Sequence, residues 1–537
     1  MATLSQIGHA NIINSIRFDH GITTVVGEMT EILKRKLPAT WLLQYDALTA
    51  GPYVDYLQTT MDKSHEVGLW FEVNRRHCED AGVRFRGELP EPENTQDTEN
   101  WDHHSQAMMS CGYSQKDRIK LIDTMMETFK QIWGKYPASV AAWYIDSFSL
   151  KYLADKYKII ASANCKDQWG TDGYSFWGAP YHAFYYPSTT NAMSVACGGE
   201  CRIHVPIFRM LGNDPVNARN AGLETNGQPV LTLEPACRQG GGNPAWVKHY
   251  FDMIFQESTR PFGYVQIGQE NNFSWDAIKE GFCFQLDEIM RRRDEGQVII
   301  ETLEATGRFV QSQYRMTPVG VLHANINLAG GENRAVWYHS TNYRAQVLYS
   351  QTGMAIVDLY RYLTVDVEPH YSSPLNLWTG TFMALPMIDS FLFGSRWYLT
   401  GRFDDGSEFD ERRCGISDVK VEFSDDRLTI CYRNGVGVRS EISFLPDCIE
   451  FIRRSDKPVS LKEVIGYDPQ SRWSPLMGRY RNHLVFGWNN VDYRLTLKEC
   501  QPRMERDLFR AIAGEFDHCT ESVCTAFLNP CSVEPQI

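Results

Sequence analysis

The chain has 537 residues, more than one ordinary hydrophobic core organises, and a formal net charge of −13. Hydrophobic residues make up 43% and charged residues 22%, the balance of a water-soluble globular chain. The acidic excess is poorly suited to neutralising phosphates, so neither nucleic acid nor an anionic membrane is an expected partner, and no apolar run approaches the ~20 residues that span a bilayer.

Fourteen cysteines are scattered with no CxxC pair, which reads as reduced thiols. The nearest pair, Cys197 and Cys201 followed by His204, lacks the fourth ligand and the spacing of a zinc site. The opening MATLSQIGHANIINS has no basic stretch followed by an apolar one. A cytoplasmic protein is expected, or an exported one from which a signal has been removed. No cofactor and no metal are expected, and the sequence is compatible with an oligomer.

In chain order, NIINSIRF (11–18) reads as a strand ending at Asp19. The segment 24–37 follows as a helix with Val25, Val26, Met29, Ile32, Leu33 and Leu37 on one face, stopped by Pro38. Strands are expected at 39–48 and 65–73, the second ending at Glu72. Residues 85–113 are a polar excursion. Ser114 and Asp117 form a capping pattern for a helix whose apolar face runs from Ile119 to Trp133. Strands at 139–146, 158–164, 202–208, 229–235 and 263–271 continue the series, with helices near 244–259 and 274–293.

Alternating strands and helices imply a parallel sheet, and at least seven such strands imply a distorted (β/α)7–8 barrel over residues 1–316. After that, helical periodicity fades. Short runs rich in β-branched and aromatic residues, separated by turns such as RNGVG and DDGSE, imply an all-β sandwich domain over 317–537.

In such a barrel the strand C-termini face one rim, where active sites lie. Acids end nearly every strand here: Asp19 with His20, Asp46, Glu72, Asp146, Asp167 and Asp172, Glu234, Glu270. Paired carboxylates flanking a bond are what glycoside hydrolysis requires. The loop CKDQWGTDGYSFWGAPYHAFYYPS (165–188) adds Trp169, Trp177 and His182 among many aromatics, which reads as a sugar-stacking platform. The Gly240–Gly242 run lacks the Lys and Ser/Thr of a phosphate loop.

SIRFDHG, a helix, and then LPATWLLQYDAL resemble the opening of the polysaccharide deacetylase family, and SHEVGLWFEVN (64–74) resembles its second motif. The resemblance implies Asp19 as catalytic base. It places His20 where the family has an acidic metal ligand, and Trp70 and Asn74 where it has two metal histidines, so the metal triad is replaced. The same distorted barrel occurs in retaining glycosidases resembling glycoside hydrolase family 57 and, more distantly, family 38. That resemblance implies a nucleophile after the fourth strand, an acid after a late one, and a β domain following the barrel.

The expectation is a glycoside hydrolase acting on an oligosaccharide or glycoside. Asp146 and Glu270 are the expected catalytic pair. Asp19, His20, Glu72, Asp167, Trp169, Asp172, Trp177, His182 and Glu234 are expected to surround the sugar. Two alternatives stand beside it: a metal-dependent carbohydrate deacetylase using His20 with His65 or His77, and a sugar-binding protein without catalysis.

Overall fold

A computed structural model describes residues 7–17, 21–87, 105–171, 173–210, 212–218, 231–256, 258–466, 475–479, 483–499, 509–511 and 514–527. Asp19, His20 and Asp172 lie outside the described residues, as does most of the polar excursion, 88–104. The chain divides into two compact units. One holds residues 1–257, 262–317 and 367–383; the other holds 258–261, 318–366 and 384–537. The segment 367–383 thus returns to the first unit from beyond residue 317.

The first unit opens with β1 (Gly8–Ile16), α1 (Thr23–Lys34), β2 (Thr40–Leu43), α2 (Tyr45–Thr49), α3 (Gly51–Thr60), β3 (Glu66–Trp70) and α4 (Arg75–Ala81). It continues through α5 (Ser105–Met108), α6 (Gln115–Trp133), β4 (Val140–Ala141), α7 (Ser147–Tyr152) and β5 (Ser162–Cys165). Next come β6 (Gln168–Thr171), β7 (Tyr174–Trp177), β8 (Phe184–Tyr185), β9 (Ile207–Met210), α8 (Pro244–Ile254) and β10 (Tyr264–Ile267). It closes with α9 (Trp275–Asp294), β11 (Val298–Glu301) and α10 (Leu303–Gln313).

Strands β10, β1, β2, β3 and β4 hydrogen-bond in that order, all parallel. A parallel bridge from Ser139 to Ala161 carries the wall on to β5, which pairs in parallel with β9. Near 229–235, where a strand was expected, the described residues contribute one bridge, Asn213 to Thr232, and no strand. The result is an open, distorted (β/α) barrel. β1 lies at its centre: β10 runs along one edge, while β11 and then β2 share the other.

Helix α6 begins as its sequence requires, with the Ser114 hydroxyl accepting the Asp117 N–H at 3.2 Å. Asn243 caps α8 and Pro244 occupies its first turn. The apolar face of α1 is rotated from expectation: Thr24, Val25, Glu28, Met29 and Ile32 are buried, and Val26 is exposed.

The second unit is all-β. It begins with β12 (Gly320–Ala324), β13 (Arg334–His339), β14 (Tyr343–Ser350) and β15 (Gly353–Arg361), an antiparallel meander. The next strand in the chain, β16 (Gly380–Met383), belongs to the first unit and pairs in parallel with β7. The remaining strands extend the meander into an antiparallel sheet of 16 strands among the described residues. It wraps one core that includes Tyr338, Ile356, Trp397, Ile430, Phe451 and Phe486.

Candidate active site at the strand ends

Parallel strands in a barrel deliver their C-terminal residues to one rim. Arg17 follows β1, Glu72 follows β3, and Glu270 follows β10. The structure brings these three together. Arg17 Nη2 donates to both carboxylate oxygens of Glu72 at 2.6 Å and lies 3.7 Å from Glu270 Oε2. The Trp70 indole N–H donates to Glu72 Oε2 at 2.8 Å. Glu72 is therefore fixed by three donated bonds, and Glu270 is the more exposed of the two acids, with 10% of its side chain exposed against 3% for Glu72.

Glu270 reaches Arg17 because β10 continues against β1 past its last ladder pair, through a parallel bridge from Ser15 to Glu270. Gly268 makes that approach feasible. Its φ is +137°, and a Cβ there would stand 1.9 Å from the Ile13 carbonyl oxygen. Asn271 then clasps the end of β1. Its Oδ1 accepts the Arg17 N–H at 2.8 Å, and its Nδ2 donates to the carbonyls of Arg17 at 2.8 Å and Gly21 at 3.0 Å. Replacing Asn271 with Ala breaks these bonds at one buried joint. The expected loss is about 1–2 kcal/mol, read as a lower urea midpoint.

Glu234 joins the same neighbourhood. It accepts from Thr232 Oγ1 at 2.8 Å and from Gln269 Nε2 at 3.3 Å, which ties it to the residue before Glu270.

Asp146, expected as one of the catalytic pair, has a different situation. It caps α7, accepting the Ser149 N–H at 3.0 Å and the Ser149 hydroxyl at 2.7 Å. Arg118 donates at 2.9 Å to the same Oδ1 as the Ser149 N–H, Ser110 donates to Oδ2, and neither partner of the Arg118–Asp146 pair has any exposed side-chain surface. In this structure Asp146 serves as a helix cap and as the buried partner of Arg118. Beside it, Glu368 accepts from Tyr144, Ala192 and both the backbone and hydroxyl of Ser147. Burial, followed by the charge of Asp146, pushes the Glu368 carboxyl up to about 7.

The aromatic loop also differs from expectation. Its residues form the β6–β7 hairpin and β8, and all but one of its aromatics are core: Tyr174, Phe176, Trp177, Tyr181, Phe184, Tyr185 and Tyr186 are buried. Asp167, Trp177 and His182 are therefore packed inside and not arrayed on a sugar-facing surface. Asp167 accepts from Arg209 at 3.0 Å, and its backbone carbonyl accepts from Asn213. Trp169 alone stands out of the loop, 43% exposed.

Of the histidines of the metal-dependent alternative, His20 lies outside the described residues, and the other two are engaged elsewhere. His65 precedes β3, at the opposite end of the strand from Glu72, and its Nδ1 accepts from Trp41. His77 is a core residue, stacked on Tyr45 and bonded through Nε2 to the Leu121 carbonyl; burial depresses its pKa to about 4. The positions that would carry metal histidines do not fit a metal either. The Trp70 indole offers only a donor, and Asn74 Oδ1 accepts the His77 N–H as the cap of α4. Among the described residues no three His, Cys, Asp or Glu side chains group as a metal site. No described helix is long and apolar enough to cross a membrane.

Sequence reasoning overlooked Arg17, Gln269 and the clasp by Asn271. A signal existed for the first: an arginine at the end of an apolar strand is seldom buried unless a carboxylate pairs with it.

An open, distorted (β/α) barrel with strand-end acids, accompanied by an all-β unit, is the class of architecture that this chain defines. Among solved structures it is similar to a candidate glycoside hydrolase/deacetylase from Parabacteroides distasonis. The TM-score is 0.49 at 15% identity, covering 71% of this chain and 92% of that one. It is also similar to a candidate polysaccharide deacetylase from Mycobacterium smegmatis (TM-score 0.36, 10% identity, 58% and 93% covered) and to the Puue allantoinase (0.35, 8%, 58% and 93%). No protein-family model and no curated protein sequence matches the chain.

Proposed function

We propose that the chain is a carbohydrate-active hydrolase, a glycosidase in which Glu72 and Glu270 act as the carboxylate pair at the barrel rim. The observation that carries this reading is the shared guanidinium. One nitrogen of Arg17 touches Glu72 at 2.6 Å and Glu270 Oε2 at 3.7 Å. The nearest oxygens of the two acids are then at most about 6.3 Å apart, which favours the short carboxyl separation of retaining glycosidases over the longer one of inverting enzymes.

The unequal exposure of the two acids supports different parts for them. Glu72, fixed by Arg17 and Trp70, presents its lone pairs in one orientation and serves as nucleophile. Glu270, the more exposed of the two, donates a proton to the leaving oxygen and later takes one from water. Glu234 and Gln269 provide hydroxyl-binding groups beside it. Asp19 and His20, on the segment that follows Arg17, are proposed to complete the sugar's surroundings.

The test is hydrolysis of a panel of aryl glycosides by wild type, Glu270→Gln and Glu72→Gln, with the anomer of the first product followed by proton NMR. Each variant is expected to lose at least about 10²-fold in kcat/KM, and wild type to retain configuration. Unchanged turnover in both variants, or release of acetate without glycosidic cleavage, would overturn the assignment.

A further inference from the structure

Residues 367–383 return to the first unit as a strap that is fixed along its length. At its start the Glu368 N–H donates to the Thr190 carbonyl at 2.9 Å. In its middle Arg118 donates to the His370 carbonyl at 2.6 Å, and the Leu375 N–H donates to the Cys111 carbonyl at 2.9 Å. At its end β16 pairs with β7, and Phe382 stacks on Tyr144 with ring centres 4.1 Å apart. From β7 the packed rings continue through Tyr174 and Trp143 to Trp70, the donor to Glu72. The strap therefore closes over packing that ends at this acid.

Glu368 is the only carboxylate in the strap, and it docks where another acid already stands. Its Oε1 accepts the Ser147 N–H at 2.8 Å and the Ser147 hydroxyl at 2.9 Å. Its Oε2 accepts the Tyr144 hydroxyl at 2.7 Å and the Ala192 N–H at 3.0 Å. Asp146, the residue before Ser147, has Arg118 as its counter-charge, and both acids are buried. Two carboxylates thus flank one residue with one guanidinium as partner. With both ionised, the cluster carries an uncompensated negative charge away from water, which is costly.

The other titratable groups around Glu368 supply no second positive charge. Burial raises the Tyr144 phenol and the Cys111 thiol well above their ordinary values, so both keep their protons. His370, on the strap itself, is pushed down by burial and then by Arg118. A proton on Glu368 removes the excess. The Ser147 and Tyr144 hydroxyls can each turn to accept a carboxyl O–H while the two backbone donors stay in place. The Glu368 carboxyl, raised to about 7 by burial and then by Asp146, agrees with this count.

We propose that residues 367–383 are a pH-sensitive strap, which docks with uptake of one proton at Glu368 and loosens from the β7 edge as that proton is lost. An undocked Glu368 faces water and titrates near 4.5, whereas the docked one holds its proton to about pH 7. Docking is then fullest below about pH 4.5, weakens as the pH rises to about 7, and is constant above that. The strap is independent of the reaction at the rim, so either idea can fail without the other.

Hydrogen exchange of the full-length protein measures the opening. It is read by mass spectrometry on peptides from 367–383 and corrected for the intrinsic pH dependence of amide exchange. The strap's opening constant is expected to rise about 10²-fold between pH 4.5 and 7 and then to level off. In Glu368→Gln, which cannot ionise, it should stay level over the same range. Glu368→Met makes the same comparison if the amide fails to fold against the Ala192 N–H. A flat wild-type profile overturns the proposal with no variant needed. So does a slope that survives in either variant.

Discussion

Asp146→Ala is expected to unfold at a urea concentration well below wild type, with a loss of about 3–5 kcal/mol. The substitution leaves the Arg118 guanidinium charged and fully buried with its 2.9 Å partner gone, and it removes the cap of α7. Arg118 does retain carbonyl acceptors at Tyr113, Cys111 and His370. These offset part of the loss but carry no full negative charge. Arg118→Met should cost a similar amount, because it strands the Asp146 carboxylate instead. In the double variant Asp146→Ala with Arg118→Met the losses should fall well short of additive, since neither charge is then left alone. The same experiment decides the role of Asp146. A variant that keeps the wild-type urea midpoint but loses turnover would return Asp146 to the chemistry.

The second large effect runs in the stabilising direction. Glu28 sits on the inward face of α1 without exposed surface, and neither carboxyl oxygen has a hydrogen-bond partner among the described residues. Burial raises its pKa well above the ordinary carboxylate value. The folded state therefore holds this proton over a pH range in which the unfolded chain releases it. The stability from Glu28 is at its fullest below about pH 4.5 and is lost as pH rises toward the raised value. Glu28→Met fills similar volume without the carboxyl. It should exceed wild type by about 1–3 kcal/mol near pH 4, where the unpartnered neutral carboxyl is no longer buried, and by more as pH rises. Thermal or urea unfolding of both proteins from pH 4 to 8 measures the difference. A gain that does not change with pH would show that Glu28 is not the titrating group.

Several parts of this molecule are readable from local pattern. The parallel βα series, the Ser114 and Asn243 caps, the shift to β structure after the barrel and the collection of acids at strand ends all rest on short-range spacing. What escaped reading depends on partners remote in sequence. Asp146 looks alike as a strand-end acid and as a helix cap, and Arg118, which decides between them, lies in the preceding helix. The aromatic hairpin looks like an exposed loop until β16 arrives from about 200 residues later to cover its edge, pairing Gly380 with Tyr174. The α1 stripe was misplaced by about one residue because an acid is almost never ranked as core, and Glu28 is core. Strand β11, four residues between two helices, offers too short a run to separate from a turn.

The clasp of Asn271 on Arg17 spans 254 positions, whereas the pairing of Arg17 with Glu72 spans 55. During synthesis the chain can therefore assemble the guanidinium and its first acid early, as the opening strands emerge. It acquires the second acid only when β10 is made and docks beside β1. The proposed carboxylate pair is thus a product of a late, long-range closure, and a shorter nascent chain holds only one of its acids in place. Formation of the proposed site would report completion of the barrel, and the first appearance of activity in a translating system would time the docking of β10.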